Sequence, residues 1–195
     1  MNTKVFLVDL DGVVLHRTAY FSERAKELYP SANHAAILEF FTKGLYKEVT
    51  LGKRDLVEAL SEVLPAWNVS RNANQVLTDW FEGENNIDYA ALERIQGIRN
   101  SGVRCVLATD HSQFRKNQVW EDLGMKDFFD NIIASADVGA TKHDSEFYLQ
   151  SLKRLDIEKP QDVVFTDDDP KNVEVAKEVG LNAFVFEDIA SLEQI

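Results

Sequence analysis

Short apolar runs punctuate the chain at Val5–Val8, Val103–Ala108, Ile132–Ala134, Val163–Phe165 and Ala183–Phe186. They are mostly unalternating, and runs of this length predict strands buried on both faces, as in a parallel sheet. Helical spacing fills the intervals between them. Leu92, Ile95 and Ile98 share one face of Tyr89–Arg99 behind a cap at Asp88, and Ser112–Leu123 stops at Gly124. Glu146–Leu155 follows Asp144 and Ser145, while Pro170–Val179 opens on a first-turn proline and ends at Gly180. This alternation predicts an α/β fold, a doubly wound, Rossmann-like parallel sheet.

One interval breaks the rhythm. From about Tyr20 to Ile87 there is no convincing strand pattern, and helices are predicted over Ser22–Tyr29, Ala32–Phe41, Lys53–Leu64 and Asn74–Phe81. The third carries an apolar stripe of Leu56, Val57, Leu60, Val63 and Leu64. A crossover between parallel strands needs only about a dozen residues. The excess, rich in aromatics such as Phe21, Phe40, Phe41, Tyr46, Trp67 and Trp80, reads as an all-helical insertion with its own small core. It would sit over the C-terminal edge of the sheet. The expected division is an α/β core of residues 1–15 and 88–195, with residues 16–87 inserted between its first and second strands.

Composition fits this picture. A chain of 195 residues with 45% hydrophobic and 28% charged positions has enough apolar mass for one core carrying a smaller insertion. The formal charge of −12 argues against nucleic acid or an anionic membrane surface as partner. It also means that an anionic substrate needs a local cation. The single cysteine, Cys105, lies in an apolar run and reads as a buried core residue. No signal-peptide pattern and no segment long enough to span a bilayer is present, so a cytoplasmic monomer or small homo-oligomer is expected.

The candidate chemistry collects where the predicted strands end. VFLVDLDGVV delivers Asp9 and Asp11, VRCVLA delivers Thr109, Asp110 and His111, and DVVF delivers Thr166, Asp167, Asp168 and Asp169. The loop after the third strand adds Lys142. Taken singly, Asp-x-Asp is a common coincidence, Asp167–Asp169 before Pro170 is an ordinary helix cap, and a lone lysine is usually solvated. In open α/β sheets, however, ligands bind beyond the carboxyl ends of the strands, where all of these residues would meet. Packed carboxylates repel unless a cation neutralises them. Oxygen donors without a His or Cys cluster suit a hard ion such as Mg2+ rather than zinc.

These stretches resemble the haloacid dehalogenase-like hydrolases over the whole chain. VFLVDLDGVV is similar to the family's first motif, VLATD to its second, GATKHDSEFY to its third and VVFTDDDPKNVEVAKEVGL to its fourth. The helical insertion corresponds to the family's cap. Two positions depart from the pattern: His143 replaces a proline, and Asp110 replaces an asparagine that is often found there.

The resemblance implies that Asp9 is a nucleophile forming an aspartyl-phosphate. Asp11 would be the general acid and then base, and Lys142 a clamp on Asp9 and the phosphoryl group. Thr109 and the Asp110 amide would bind phosphoryl oxygens. Mg2+ would be held by Asp9, the Asp11 carbonyl and Asp168, with Asp167 acting directly or through water. An acid at Asp11 points to phosphate transfer rather than halide displacement. The implied activity is a Mg2+-dependent phosphatase acting on a small phosphorylated metabolite, with a sugar phosphate the substrate guess. His16, Arg17, Lys43, Tyr46 and Lys47 are candidate substrate contacts in the cap. The alternatives are a sugar-phosphate mutase of the same family and a phospho-acceptor receiver module without turnover.

Overall fold

The structure, a computed structural model, describes residues 4–195; residues 1–3 of the expected core segment lie outside it. The chain begins with β1 (Val5–Asp9) and β2 (Leu15–His16). Five helices follow: α1 (Phe21–Leu28), α2 (His34–Thr42), α3 (Leu45–Thr50), α4 (Leu56–Trp67) and α5 (Ala73–Glu82). After β3 (Asn86–Ile87) come α6 (Tyr89–Asn100), β4 (Arg104–Thr109), α7 (Gln113–Asn117), β5 (Asn131–Ala134) and α8 (Ser135–Val138). The chain continues through α9 (Ser145–Arg154), β6 (Val163–Asp167), α10 (Pro170–Val179) and β7 (Asn182–Val185).

The main sheet has the order β5-β4-β1-β6-β7, and every pairing in it is parallel. β1 is central and buried on both faces, which explains its lack of alternation. Phe6 and Val8 enter one apolar cluster with Leu107 and Ile95, while Val5 and Leu7 enter another with Phe147 and Phe165. The register sets Asp9 opposite Ala108 and Thr109 opposite Ala134. The polar ends of neighbouring strands therefore fall on one edge.

The helices α1 to α5 bury a third cluster built on Phe21, Phe40, Trp67 and Trp80. Its rings touch: Trp80 lies 5.4 Å from Phe21 and 5.1 Å from Phe41, centroid to centroid. Each such large buried side chain contributes about 1.5–3 kcal/mol. Local signals start the helices. Asp55 accepts from the amides of Val57 and Glu58, and Asn72 and Gln75 form a reciprocal capping box. The two chain crossings between this layer and the sheet run antiparallel as β2 and β3, pairing Leu15 with Ile87 and His16 with Asn86. Two further contacts seat the layer. Ser135 Oγ donates to the Thr50 carbonyl at 2.8 Å, and the Phe81 ring stacks on Phe114 at 6.2 Å.

Several elements depart from the pattern-based expectation. β3 is a strand where none was expected, and α3 is an additional single helix of six residues. α4 runs past Pro65 to Trp67, because the fully buried indole holds the last turn and Asn68 ends it in the left-handed region. The expected helix over Ser112–Leu123 is α7 followed by a widened turn, in which the Leu123 amide donates to the Gln118 carbonyl. No described helix is long and apolar enough to cross a membrane.

Candidate active site

β1 ends in Asp9, which is buried and whose Oδ1 accepts from the Leu10 amide at 2.7 Å. Two strands meet beside it. Lys142 Nζ contacts Asp9 Oδ1 and donates to Asp167 Oδ2 at 2.7 Å, tying β1 and β6 to the loop before α9. Asp167 is held further by its own helix. Asn172 Nδ2, from the first turn of α10, reaches both Asp167 oxygens at 3.1 and 3.0 Å, and the Asp169 amide donates to Oδ1 at 2.8 Å.

One oxygen each from Asp9, Asp167 and Asp168 lies within 4.8 Å of the others. Gly12 brings Asp168 in: at φ +85° it turns the backbone so closely under the Asp168 carboxylate that a Cβ there would overlap it. Charge in this group is unbalanced. Burial opposes the Lys142 ammonium, but Asp9, Asp167 and Asp110 outweigh it and raise its pKa above the ordinary lysine value. Burial raises the Asp9 carboxyl well above its usual range, Lys142 works the other way, and Asp167 and Asp11 push it up again. Asp168 is raised by burial and by Asp167. Oxygen donors that jointly carry excess negative charge fit a hard divalent cation.

Thr109, at the tip of β4, is fully buried and its Oγ1 has no hydrogen-bond partner among the described residues. A buried hydroxyl left unsatisfied beside Asp9 marks a place for an incoming polar group. Asp110 turns its carboxylate to the Lys142 amide, at 3.0 and 3.3 Å. It thus fixes the loop that carries the lysine.

Asp11 takes a different direction from Asp9. Its carboxylate lies outside the acidic trio and sits 2.8 Å from His111 Nε2, poorly aligned for a hydrogen bond. Burial would raise the Asp11 carboxyl, but His111, helped by Arg17 and Arg115, holds it well below the usual range. Beyond Asp11 opens a cavity of about 370 Å³, walled by Phe21, Phe41, Tyr46 and Trp80 and lined also by Arg17 and Glu84.

Of the cap candidates, Arg17 and Tyr46 line this cavity. His16 instead pairs with Asp88 at 3.3 Å, Lys43 pairs with Glu39 at 2.8 Å, and Lys47 is exposed. Sequence reasoning missed the roles of Asn172, Glu84 and Arg115, and noted His111 only as a strand-end residue. Arg115 is buried and stacks 4.4 Å over Phe81 while donating to Asn85 Oδ1, Gln118 Oε1 and the Glu84 carbonyl. Asn172 carried a readable signal, since it lies one helical turn after an acidic strand end.

Comparison with known proteins follows the same lines. Residues 3–180 match the family model of haloacid dehalogenase-like hydrolases. Over 76 residues the chain is 36% identical to the chloroplast flavin mononucleotide hydrolase 1 of Arabidopsis thaliana, covering 39% of this chain but 31% of that protein. It is 23% identical to the phosphorylated carbohydrates phosphatase of Thermotoga maritima, over 90% of this chain and 81% of that one. A HAD family enzyme from Bacteroides thetaiotaomicron, solved with magnesium and inorganic phosphate, superposes with a TM-score of 0.82 at 19% identity, covering 97% of this chain and 98% of that chain. With the family model spanning nearly the whole chain and the same fold in that enzyme, this protein belongs to the haloacid dehalogenase-like hydrolases.

Proposed function

We propose that the protein is a Mg2+-dependent phosphatase that hydrolyses a phosphate monoester of a small metabolite through an aspartyl-phosphate on Asp9. The reading rests above all on the different surroundings of two neighbouring acids. Asp9 faces Lys142 and the acidic trio, whereas Asp11 faces the cavity and His111. A phosphoryl group seated between them would meet a nucleophile on one side and a proton carrier on the other. The names of the Thermotoga and Arabidopsis relatives, and the magnesium and phosphate bound by the Bacteroides enzyme, support the same reaction class.

On this reading Asp9, Asp168, the Asp11 carbonyl and Asp167 would hold the ion. A divalent cation supplies charge that lets a carboxylate approach a phosphate dianion. Asp9 attacks phosphorus, and the leaving oxygen takes a proton at Asp11. His111 Nε2 lies 2.8 Å from Asp11 and, with Arg17 and Arg115, holds its carboxyl low in the free protein. Once the alcohol has left, ionised Asp11 draws a proton from the water that cleaves the Asp9 ester. Lys142 holds Asp9 in line, and Thr109 Oγ1 with the Asp110 amide donates to phosphoryl oxygens. Residues 16–87 serve as the cap over a core of residues 1–15 and 88–195, and the cavity between them receives the leaving group. Sugar phosphates are the first substrates to try.

The test is a panel of phosphorylated metabolites, with and without Mg2+, scored by released phosphate. Metal-dependent release is expected from at least one member. Release from none overturns the reading, and an isomeric sugar phosphate without free phosphate would make the protein a mutase.

A further inference from the structure

The cavity beyond Asp11 is uneven in charge. Its positive groups gather at the phosphate end: Arg17 stacks 4.7 Å over Tyr20 and acts on Asp11 and Asp168, and His111 contacts Asp11. Glu84, just after α5, also lines the cavity. Its Oε1 accepts from Trp80 Nε1 at 2.9 Å, and no donor among the described residues reaches Oε2. Glu84 makes no ion pair among the described residues. The nearby Arg115 commits its terminal nitrogens to Asn85, Gln118 and the Glu84 carbonyl rather than to the carboxylate. Beside Glu84 the wall is aromatic, with Tyr46 and Trp80 rings 5.6 Å apart and Phe41 5.1 Å from Trp80. A half-buried carboxylate with a free oxygen, in a cavity walled by aromatic rings, can pair with an organic cation. In a chain of charge −12, an unpaired acid in the leaving-group pocket works against an anionic tail and favours a cationic one.

We propose that the alcohol released at this site carries an ammonium group, paired with Glu84 Oε2 within the aromatic walls of the cavity. This inference rests on the phosphatase reading above. The substrate class is then a phosphorylated amino alcohol or amino sugar. The chemistry balances without further reagents. The P–O bond to the alcohol breaks, the alkoxide takes its proton at Asp11, water supplies the oxygen of the released phosphate, and the ammonium keeps its charge throughout.

Matched esters differing only in that charge provide the test: phosphocholine against the phosphate ester of its neutral carbon isostere, and glucosamine phosphate against glucose phosphate. With Mg2+ present, kcat/KM should favour the cationic member of at least one pair by about tenfold or more. Glu84→Gln should reduce that ratio to near unity, and because the ratio is read within one variant, a general loss of activity does not imitate the effect. Equal or better turnover of the neutral member in both pairs of the wild-type protein overturns the inference, whether or not the variant folds. So does an unchanged ratio in folded Glu84→Gln. p-Nitrophenyl phosphate separates the two levels. If it is hydrolysed while the cationic preference is absent, only this inference fails; if neither it nor any ester is hydrolysed, the phosphatase reading fails and takes the inference with it.

Discussion

His111 Nε2 lies 2.8 Å from Asp11 Oδ2, joining the second residue after β4 to the second residue after β1. The pairing keeps Asp11 ionised despite its burial. A carboxyl whose folded pKa is depressed gives stability that is present above its unfolded value and lost as pH falls. His111→Ala leaves the burial of Asp11 less opposed, so its carboxyl rises. The acid limb of kcat, set by cleavage of the Asp9 ester that needs ionised Asp11, should then move to higher pH by about one unit. An unmoved acid limb would mean that Asp11 does not govern it.

Asp9→Asn should lower phosphate-ester turnover by at least about a thousandfold. Its effect on stability has the opposite sign. A carboxyl whose folded pKa is raised, as burial raises Asp9, costs stability above its unfolded value. Removing that charge at neutral pH should leave the melting temperature equal or higher. A variant retaining substantial turnover would remove Asp9 as nucleophile.

Thr109→Val also separates activity from stability. The Oγ1 atom is buried without a partner among the described residues, and such a group costs about 1–3 kcal/mol. The valine variant should therefore be as stable as the wild type or more so in urea titration, while KM for phosphate esters rises. A clear loss of stability would show that the hydroxyl is satisfied in the folded protein.

Cys105 is fully buried, and burial, with Asp130 nearby, pushes its thiol up to about 12. At pH 8 it carries about a thousandfold less thiolate than a free cysteine. Labelling by a thiol reagent should therefore track unfolding and rise to one equivalent only in denaturant. Rapid labelling of the native protein would contradict this burial.

Much of this architecture was legible because local signals agreed with the tertiary outcome. Pro170 and Gly180 bound α10 as start and stop, and the unalternating run Val5–Val8 became a strand buried on both faces. Other features had no local signature. β2 and β3 have two residues each and exist because the chain crosses twice at one place. Pro65 reads as a helix stop, yet a buried Trp67 carries α4 beyond it. In the site, Asp9 and Asp167 close β1 and β6, which the parallel register brings together, and Lys142 reaches both from the loop before α9. The His111–Asp11 contact and the Glu84 carboxylate depend on side-chain directions across the two layers. Spacing along a chain does not encode those directions.

The helical layer is held at three places that do not lie along one stretch of chain: the β2–β3 crossing, the Thr50–Ser135 hydrogen bond, and the end of α5, where Phe81 stacks on Phe114 and Arg115 binds Phe81, the Glu84 carbonyl and Asn85. It stands on the sheet as a tripod. Two legs are non-covalent and close to the cavity, and the third is the chain itself. Tilting the layer to admit a substrate means lifting one or both of the free legs while the crossing acts as pivot. The strength of one hydrogen bond on one side, and of a ring stack with the Arg115 contacts on the other, would then set how often the pocket opens, and with it the pace of exchange between solvent and the acids beneath.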